Sequence, residues 1–252
     1  MPDLSDEHFQ QYCRIVYQES GINLSEGKRD LLKARLSRRL RKLNIDAAAY
    51  LLLIRNDPLE LAHFLNAIST NYTFFFRESK CFKYLDGGPQ KIWCAASSTG
   101  EEPYSLAIYC LRKGFRPSIH ATDISTECLR KGRLGIYPYE SIENIPKEVL
   151  KSCFQKGTGR FQDAIRVKKE IRELVTFEHF NLVKDSAPVG LDVIFCRNVM
   201  FYFDRPTKVL VVHKLISALQ PKGYFIIGGA ETLSGLDHDL HYVEPSVYQK
   251  NV

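Results

Sequence analysis

Through residues 6 to 69 apolar side chains recur every three or four positions, the period of helices lying on a core. Asp6 is placed to cap a first helix, with Phe9, Cys13, Val16 and Tyr17 on one side and Gly21 at its end. Ser25 is placed to cap a second, in which Leu31, Leu32, Leu36, Leu40 and Leu43 share a face and Arg and Lys take the opposite one. Asp46 and the pair Asp57-Pro58 start two shorter helices, the last reaching Ile68. Residues 1 to 70 are expected to form a small all-α domain.

Past a connector near Gly87-Gly88-Pro89 the pattern changes. KIWCA (91 to 95) predicts a strand, 102 to 113 a helix, SIHATDI (118 to 124) a strand and 125 to 133 a helix. LDVIFC, a helix over about 205 to 219 and the strand GYFIIGG continue the series. Alternation of this kind implies an α/β domain over 71 to 252, with a parallel sheet covered on both faces. From about 152 to 178 it breaks. There AIRVKK and LVTFEHF predict two short strands flanking Glu170 to Glu173, after the turn KGTGR, so a small antiparallel insertion is expected. HYVEPSVYQK predicts a late strand at the sheet edge.

Composition narrows the class. The apolar fraction of 44% and charged fraction of 25% are those of an ordinary globular protein. No apolar run approaches the roughly 18 residues of a membrane span, and the polar, acidic start PDLSDEHFQQ is unlike a signal peptide, so a cytoplasmic address is expected. Seven cysteines without a CxxC pair predict buried thiols and no metal site. The net charge of +6 is concentrated: from Lys28 to Lys42 eight basic residues face one acid, Asp30.

The segment DVIFCRNVMFYFD carries the clearest chemical signal. A strand apolar on both faces, Val193 to Cys196, runs into Arg197, Asn198 and Tyr202, and ligands of open parallel sheets bind beyond the carboxyl ends of strands. The plainer alternative is that Arg197 and Asn198 only tie down a turn. WCAASSTGEEPYSLAI is a strand, a small-residue loop and a helix start, but Gly100 is its only glycine, so neither dinucleotide nor triphosphate fingerprint can be written. Glu101 and Glu102 at that mouth would repel a pyrophosphate and tolerate a sulfonium amino acid, which points to S-adenosylmethionine. Asp123, ending the next strand, is placed to accept from two ribose hydroxyls; it could also cap the following helix, although Ser125 is the better cap. In TNYTFFFRE, Asn71, Thr73 and Arg77 are interleaved with three phenylalanines that read as core rather than as a stacking platform.

Taken together, TNYTFFFRE, AASSTGEEPYSLAI, ATDIS, LGIYP, the GTG turn and FCRNVMFYFD resemble, in order and spacing and over nearly the whole chain, the CheR family of chemotaxis receptor glutamate methyltransferases. The resemblance implies a Rossmann-like, S-adenosylmethionine-dependent enzyme that methylates glutamates on the cytoplasmic helices of chemoreceptors and is recruited to those membrane receptors. It implies that Asn71, Thr73 and Arg77 line the cofactor pocket, with Glu102 at its amino-acid end or its loop and Asp123 at the ribose. Asn181 and Leu182 would lie beside the adenine, Arg197 and Asn198 would complete the pocket, and Tyr202 and Arg77 would flank the transferred methyl. The KGTGR turn is similar to that of members that dock on a receptor tail peptide through the insertion. Two departures stand out: Ser79 to Lys91 is shorter than in the enterobacterial enzymes, and GGAET (228 to 232) replaces GHSE.

The basic helix, through Arg35, Arg38, Arg39 and Lys42, is expected to dock the acidic receptor helix. A nucleic-acid methyltransferase would also use such a helix, but its basic face lacks interleaved aromatics, so no nucleic-acid partner is expected. A non-catalytic docking module is the other alternative. A monomer is expected.

Overall fold

The computed structural model describes residues 4–24, 26–88, 91–143 and 145–251, without the Glu26 side chain. The cap expected at Ser25 and the connector's Pro89 lie outside the described residues. Four helices come first: α1 (Asp6–Ser20), α2 (Arg29–Leu43), α3 (Ala47–Asn56) and α4 (Pro58–Ile68). Ser5, not Asp6, caps α1 by accepting from the His8 N–H, and Gly21 ends it in the left-handed region. Asp46 and Asp57 cap α3 and α4 through their side chains. Tyr12, Tyr50 and Phe64 meet at the centre with ring centroids 5.5 to 6.4 Å apart, and the Tyr12 hydroxyl donates to the Ala47 carbonyl at 2.7 Å.

The stripe by which α2 meets this core is narrower than the leucine count implies. Leu32, Leu36 and Leu40 are buried, whereas Leu31 is 39% exposed. Arg35 and Arg39 stand three and seven positions after Leu32, beside the stripe rather than opposite it. Arg35 Nη1 donates to the carbonyls of Ala67 and Ser69 at 2.6 and 2.7 Å, and Arg39 makes a forked ion pair with the buried Glu60, which also accepts from the Tyr50 hydroxyl. The expectation that all four basic residues face solvent is corrected: Arg38 and Lys42 are exposed, while Arg35 and Arg39 tie α2 to α4.

The second unit opens with β1 (Lys91–Ala95), α5 (Glu101–Arg112), β2 (Ser118–Asp123) and α6 (Thr126–Leu134). Then follow β3 (Ile136–Pro138), α7 (Lys147–Cys153), β4 (Phe154–Lys156), β5 (Ala164–Val167), α8 (Lys169–Arg172) and β6 (Val175–His179). It closes with β7 (Leu191–Phe195), α9 (Arg205–Ala218), β8 (Leu219–Ile226), β9 (Leu240–Glu244) and β10 (Val247–Lys250). The main sheet has the order β6-β2-β1-β7-β8-β10-β9 and is parallel from β6 through β8. Along β1 the side chains alternate between two apolar layers, Ile92 and Cys94 in one, Trp93 and Ala95 in the other, as a strand buried on both faces requires.

Two strand assignments differ from expectation. Val175 and Phe177 point into the core, and β6 pairs in parallel with β2, so LVTFEHF is the edge of the main sheet. The small antiparallel sheet, in order β3-β5-β4, recruits IYP at 136 to 138 and ends at Val167, earlier than the expected 152 to 178. HYVEPSVYQK forms a hairpin, with β10 inside the sheet and β9 at its edge. Among the described residues no helix is long and apolar enough to cross a membrane.

Candidate active site

The chain leaves β1 in one direction toward β2 and returns through β7 on its other side, so a crevice opens beyond the carboxyl ends of β1, β2 and β7. A cleft of about 1180 Å³, its open mouth included, lies there, roofed by the helical unit. Asn71, Thr73, Arg77, Glu102, Asp123, Asn181, Leu182, Arg197, Asn198 and Tyr202 all line it. Residues drawn from five separated motifs are thus brought to one place. Its apolar wall includes Ile22, Leu24, Leu31, Ile68, Ile124 and Phe180.

The loop after β1 is shaped by its backbone. Ala96 and Ser98 take positive φ, and Ala96 and Ser97 N–H groups donate to the Thr122 carbonyl at 2.9 and 2.8 Å. Gly100 has φ +99°, and a Cβ there would lie 2.9 Å from Phe177 and 3.1 Å from the Gly132 backbone, so no larger residue fits. The turn launches α5 and separates the two acids expected at the mouth. Glu101 turns inward to accept from the Thr99 hydroxyl at 2.6 Å, and only Glu102 lines the cleft.

Arg197, at the end of β7, is the hub. Its side chain is 2% exposed; Nη1 donates to Glu102 Oε2 at 2.6 Å, and Nη2 to Glu78 Oε2 at 2.9 Å and the Arg77 carbonyl at 2.8 Å. Burial pushes the Glu102 carboxyl above its ordinary range, and the adjacent guanidinium opposes that shift. Glu78 accepts from the Gly229 N–H as well. Asn198 follows at φ +60°, a conformation held by Glu231, whose carboxylate accepts from the N–H groups of Asn198, Met200 and Gly228 at 2.7 to 2.8 Å. Glu78 and Glu231 were not singled out in the sequence. Their motifs, FFFRE and GGAET, were visible; their partners, far away in the chain, were not.

Asp123 is buried. Its oxygens accept from the Ser98 and Ser125 N–H groups, each at 2.8 Å, and burial still raises its carboxyl above the usual carboxylate value. Ser125 itself caps α6, which leaves Asp123 facing the cleft. The Asn181 side chain is committed elsewhere: Nδ2 donates to the Glu19 carbonyl at 2.6 Å, and Oδ1 accepts from Val183 and Lys184 N–H groups. Asn71 Nδ2 donates to Ser69 Oγ at 3.3 Å, and Arg77 Nη1 to the Tyr72 carbonyl at 3.1 Å. Of the three phenylalanines, Phe75 is buried and Phe76 packs on the same core, but Phe74 is 42% exposed, which corrects the reading of all three as core.

The helical unit is tied directly to the loop that carries Tyr202. Ile22 bridges to Phe203, the Asn23 N–H donates to the Tyr202 carbonyl at 2.8 Å, and Lys28 Nζ lies 5.1 Å from the Tyr202 ring centroid. Two buried polar atoms on the cleft residues, Ser97 Oγ and Arg197 Nε, have no hydrogen-bond partner among the described residues. Orphaned donors beside a buried carboxylate and an apolar wall fit a ligand with both polar and flat apolar parts, such as a nucleoside-bearing amino acid.

Comparison with known proteins finds matches over nearly the whole chain. The family model described as CheR methyltransferase, SAM binding domain, matches residues 71–248, and that described as CheR methyltransferase, all-alpha domain, matches 7–69. Chemotaxis protein methyltransferase 2 of Pseudomonas aeruginosa is 40% identical, over 96% of this chain and 92% of that protein. The chemotaxis protein methyltransferases of Salmonella typhimurium and Escherichia coli are each 38% identical, over 97% of this chain and 90% and 91% of theirs.

Proposed function

The chain belongs to the CheR methyltransferase family, and on that premise we propose that it methylates glutamate γ-carboxylates of chemoreceptors from S-adenosylmethionine, forming methyl esters. The observation that carries the reading is the convergence of the motif residues on one cleft at the sheet's switch point.

S-adenosylmethionine supplies an electrophilic sulfonium methyl. Asp123 would accept from the ribose hydroxyls with the lone pairs that Ser98 and Ser125 leave, and Leu182 with the main chain at Asn181 would border the adenine. Asn71, Thr73 and Glu102 would hold the amino-acid end. Arg197, its charge countered by Glu102 and Glu78, fixes the shape of that end and presents Asn198. The nucleophile needs no general base, because a glutamate with a reference pKa of about 4.3 is already ionised at neutral pH. Catalysis then comes from orientation, which is worth roughly 7 to 11 kcal/mol for well-placed reactants. Arg77 and Tyr202 supply it beside the methyl.

Arg38 and Lys42, the exposed members of the basic helix, would meet an acidic receptor helix at the cytoplasmic face of the membrane. The sheet β3-β5-β4 would take a receptor tail peptide. The test is transfer of label from S-adenosylmethionine to a receptor cytoplasmic fragment, with nucleic acid as the competing acceptor. Base-labile label on receptor glutamates supports the reading; label on nucleic acid alone, or none, defeats it.

A further inference from the structure

We infer that Lys28 holds the γ-carboxylate of the substrate glutamate beside Tyr202. The inference rests on the methyl-transfer reading and assigns the nucleophile's place to a group of the helical unit.

Charge within the cleft decides it. Arg197 is held between Glu102 and Glu78, and Arg77 lies 3.8 Å from Glu78 while donating to the Tyr72 carbonyl. Both guanidinium groups are countered by the chain's own carboxylates. Lys28 lines the same cleft, and its recorded contact is the face of the Tyr202 ring, 5.1 Å from the centroid; no carboxylate among the described side chains is paired with it. A cation over an aromatic face stays free to accept a full ion pair, which is the stronger interaction.

It also stands close in the chain to a segment tied to the Tyr202 loop. Lys28 ends a short turn, Glu26–Lys28, a few residues after the segment that is pinned to the Tyr202 loop. There Gly21 takes φ +72° where a Cβ would come within 2.6 Å of Val183, Ile22 bridges to Phe203, and Asn23 donates to Tyr202. The backbone at Ile22 and Asn23 is therefore anchored to the loop that carries Tyr202, and the Lys28 ammonium reaches the same Tyr202 ring. Leu24 and Leu31 lie on the same cleft wall and suit the methylene stem of a glutamate. The amino-acid end of the cofactor is assigned to Asn71, Thr73 and Glu102, so a carboxylate at Lys28 is the substrate's.

The experiment measures binding of a receptor cytoplasmic fragment that keeps one methylatable glutamate, or carries glutamine there, to protein saturated with S-adenosylhomocysteine. The wild type should bind the glutamate form about tenfold more tightly than the glutamine form, and Lys28→Met should erase that preference while leaving S-adenosylhomocysteine affinity unchanged. Lys28→Arg should keep it. A preference that survives in Lys28→Met, or that is absent from the wild type, overturns the assignment. So does a loss of cofactor affinity in Lys28→Met, which would place the lysine at the cofactor instead. Methyl transfer by the wild type to the glutamate form is read separately: its absence refutes the proposed function, whereas its presence with an unaltered Lys28→Met preference refutes Lys28 alone.

Discussion

Arg197 and Glu102 meet at 2.6 Å, and in doing so they lock the end of β7 to the first turn of α5. The pair is buried, with side-chain exposures of 2% and 13%, so its members depend on each other. Removing one partner from a buried pair costs about 3 to 5 kcal/mol, chiefly because the other is left uncompensated. Arg197→Met should therefore lower the thermal midpoint markedly and abolish binding of S-adenosylhomocysteine. Restoring a neutral match with Arg197→Met/Glu102→Gln should recover stability but not binding. If the double variant is no more stable than Arg197→Met, the two side chains are not energetically coupled.

Asp123 sets the next expectation. Asp123→Ala removes the proposed acceptor for two ribose hydroxyls, at about 1.5 kcal/mol or more for each charge-assisted bond, so the dissociation constant for S-adenosylhomocysteine should rise on the order of a hundredfold. Burial raises this carboxyl, so in the free protein it takes up a proton at a higher pH than an ordinary aspartate. Binding draws on the ionised form and should weaken as pH falls through that raised value. In Asp123→Asn the same pH dependence should vanish. Calorimetric titration across the acidic range reads both, and an unchanged constant in folded Asp123→Ala would remove Asp123 from the ribose site.

Tyr202→Phe keeps the ring under Lys28 and loses only the hydroxyl. Cofactor affinity should persist while kcat falls on the order of tenfold to a hundredfold, the expected cost of misplacing reactants. Steady-state kinetics with receptor fragment decide it; full turnover would make Tyr202 a packing residue.

What sequence could and could not give follows from range. Asp123, Arg197 and Asn198 stood out because each ends or follows a strand whose apolar run is local and whose end is where ligands bind. The small sheet was misplaced because IYP and FQK are three residues long and carry no period to read. Val175 and Phe177 alternate in the same way whether their neighbour runs parallel or antiparallel, so pattern alone could not choose the sheet they join. Glu231 sits in GGAET, which stands out only as a departure from GHSE, and its role appears only when three backbone N–H groups from two loops converge on it. Arg35 and Arg39 failed for a geometric reason: a charge run reads as a solvated face, but at three and seven positions from Leu32 a long side chain reaches back over the core.

That distinction within the basic helix gives opposite expectations for adjacent arginines. Arg39 belongs to the fold: its guanidinium and the Tyr50 hydroxyl compensate Glu60, which is 5% exposed. The hydrogen bond from Arg39 holds the Glu60 carboxyl below its ordinary value, so the pair stabilises the fold above the unfolded carboxylate pKa, and that contribution is lost as pH falls through the lower folded value. Arg39→Ala should lower the thermal midpoint at neutral pH, by about 3 to 5 kcal/mol in stability, and the deficit should shrink on acidification. Arg38 is exposed, and its loss should cost within about 0.5 kcal/mol of stability. Arg38→Glu combined with Lys42→Glu should instead raise KM for receptor and leave S-adenosylhomocysteine affinity unchanged. The wild type in high salt should behave in the same way, because exposed charges are screened over about 8 Å at physiological ionic strength. A wild-type KM in the Arg38→Glu/Lys42→Glu variant would mean that receptor capture does not use this helix face, and the sheet β3-β5-β4 would then be the surface to test.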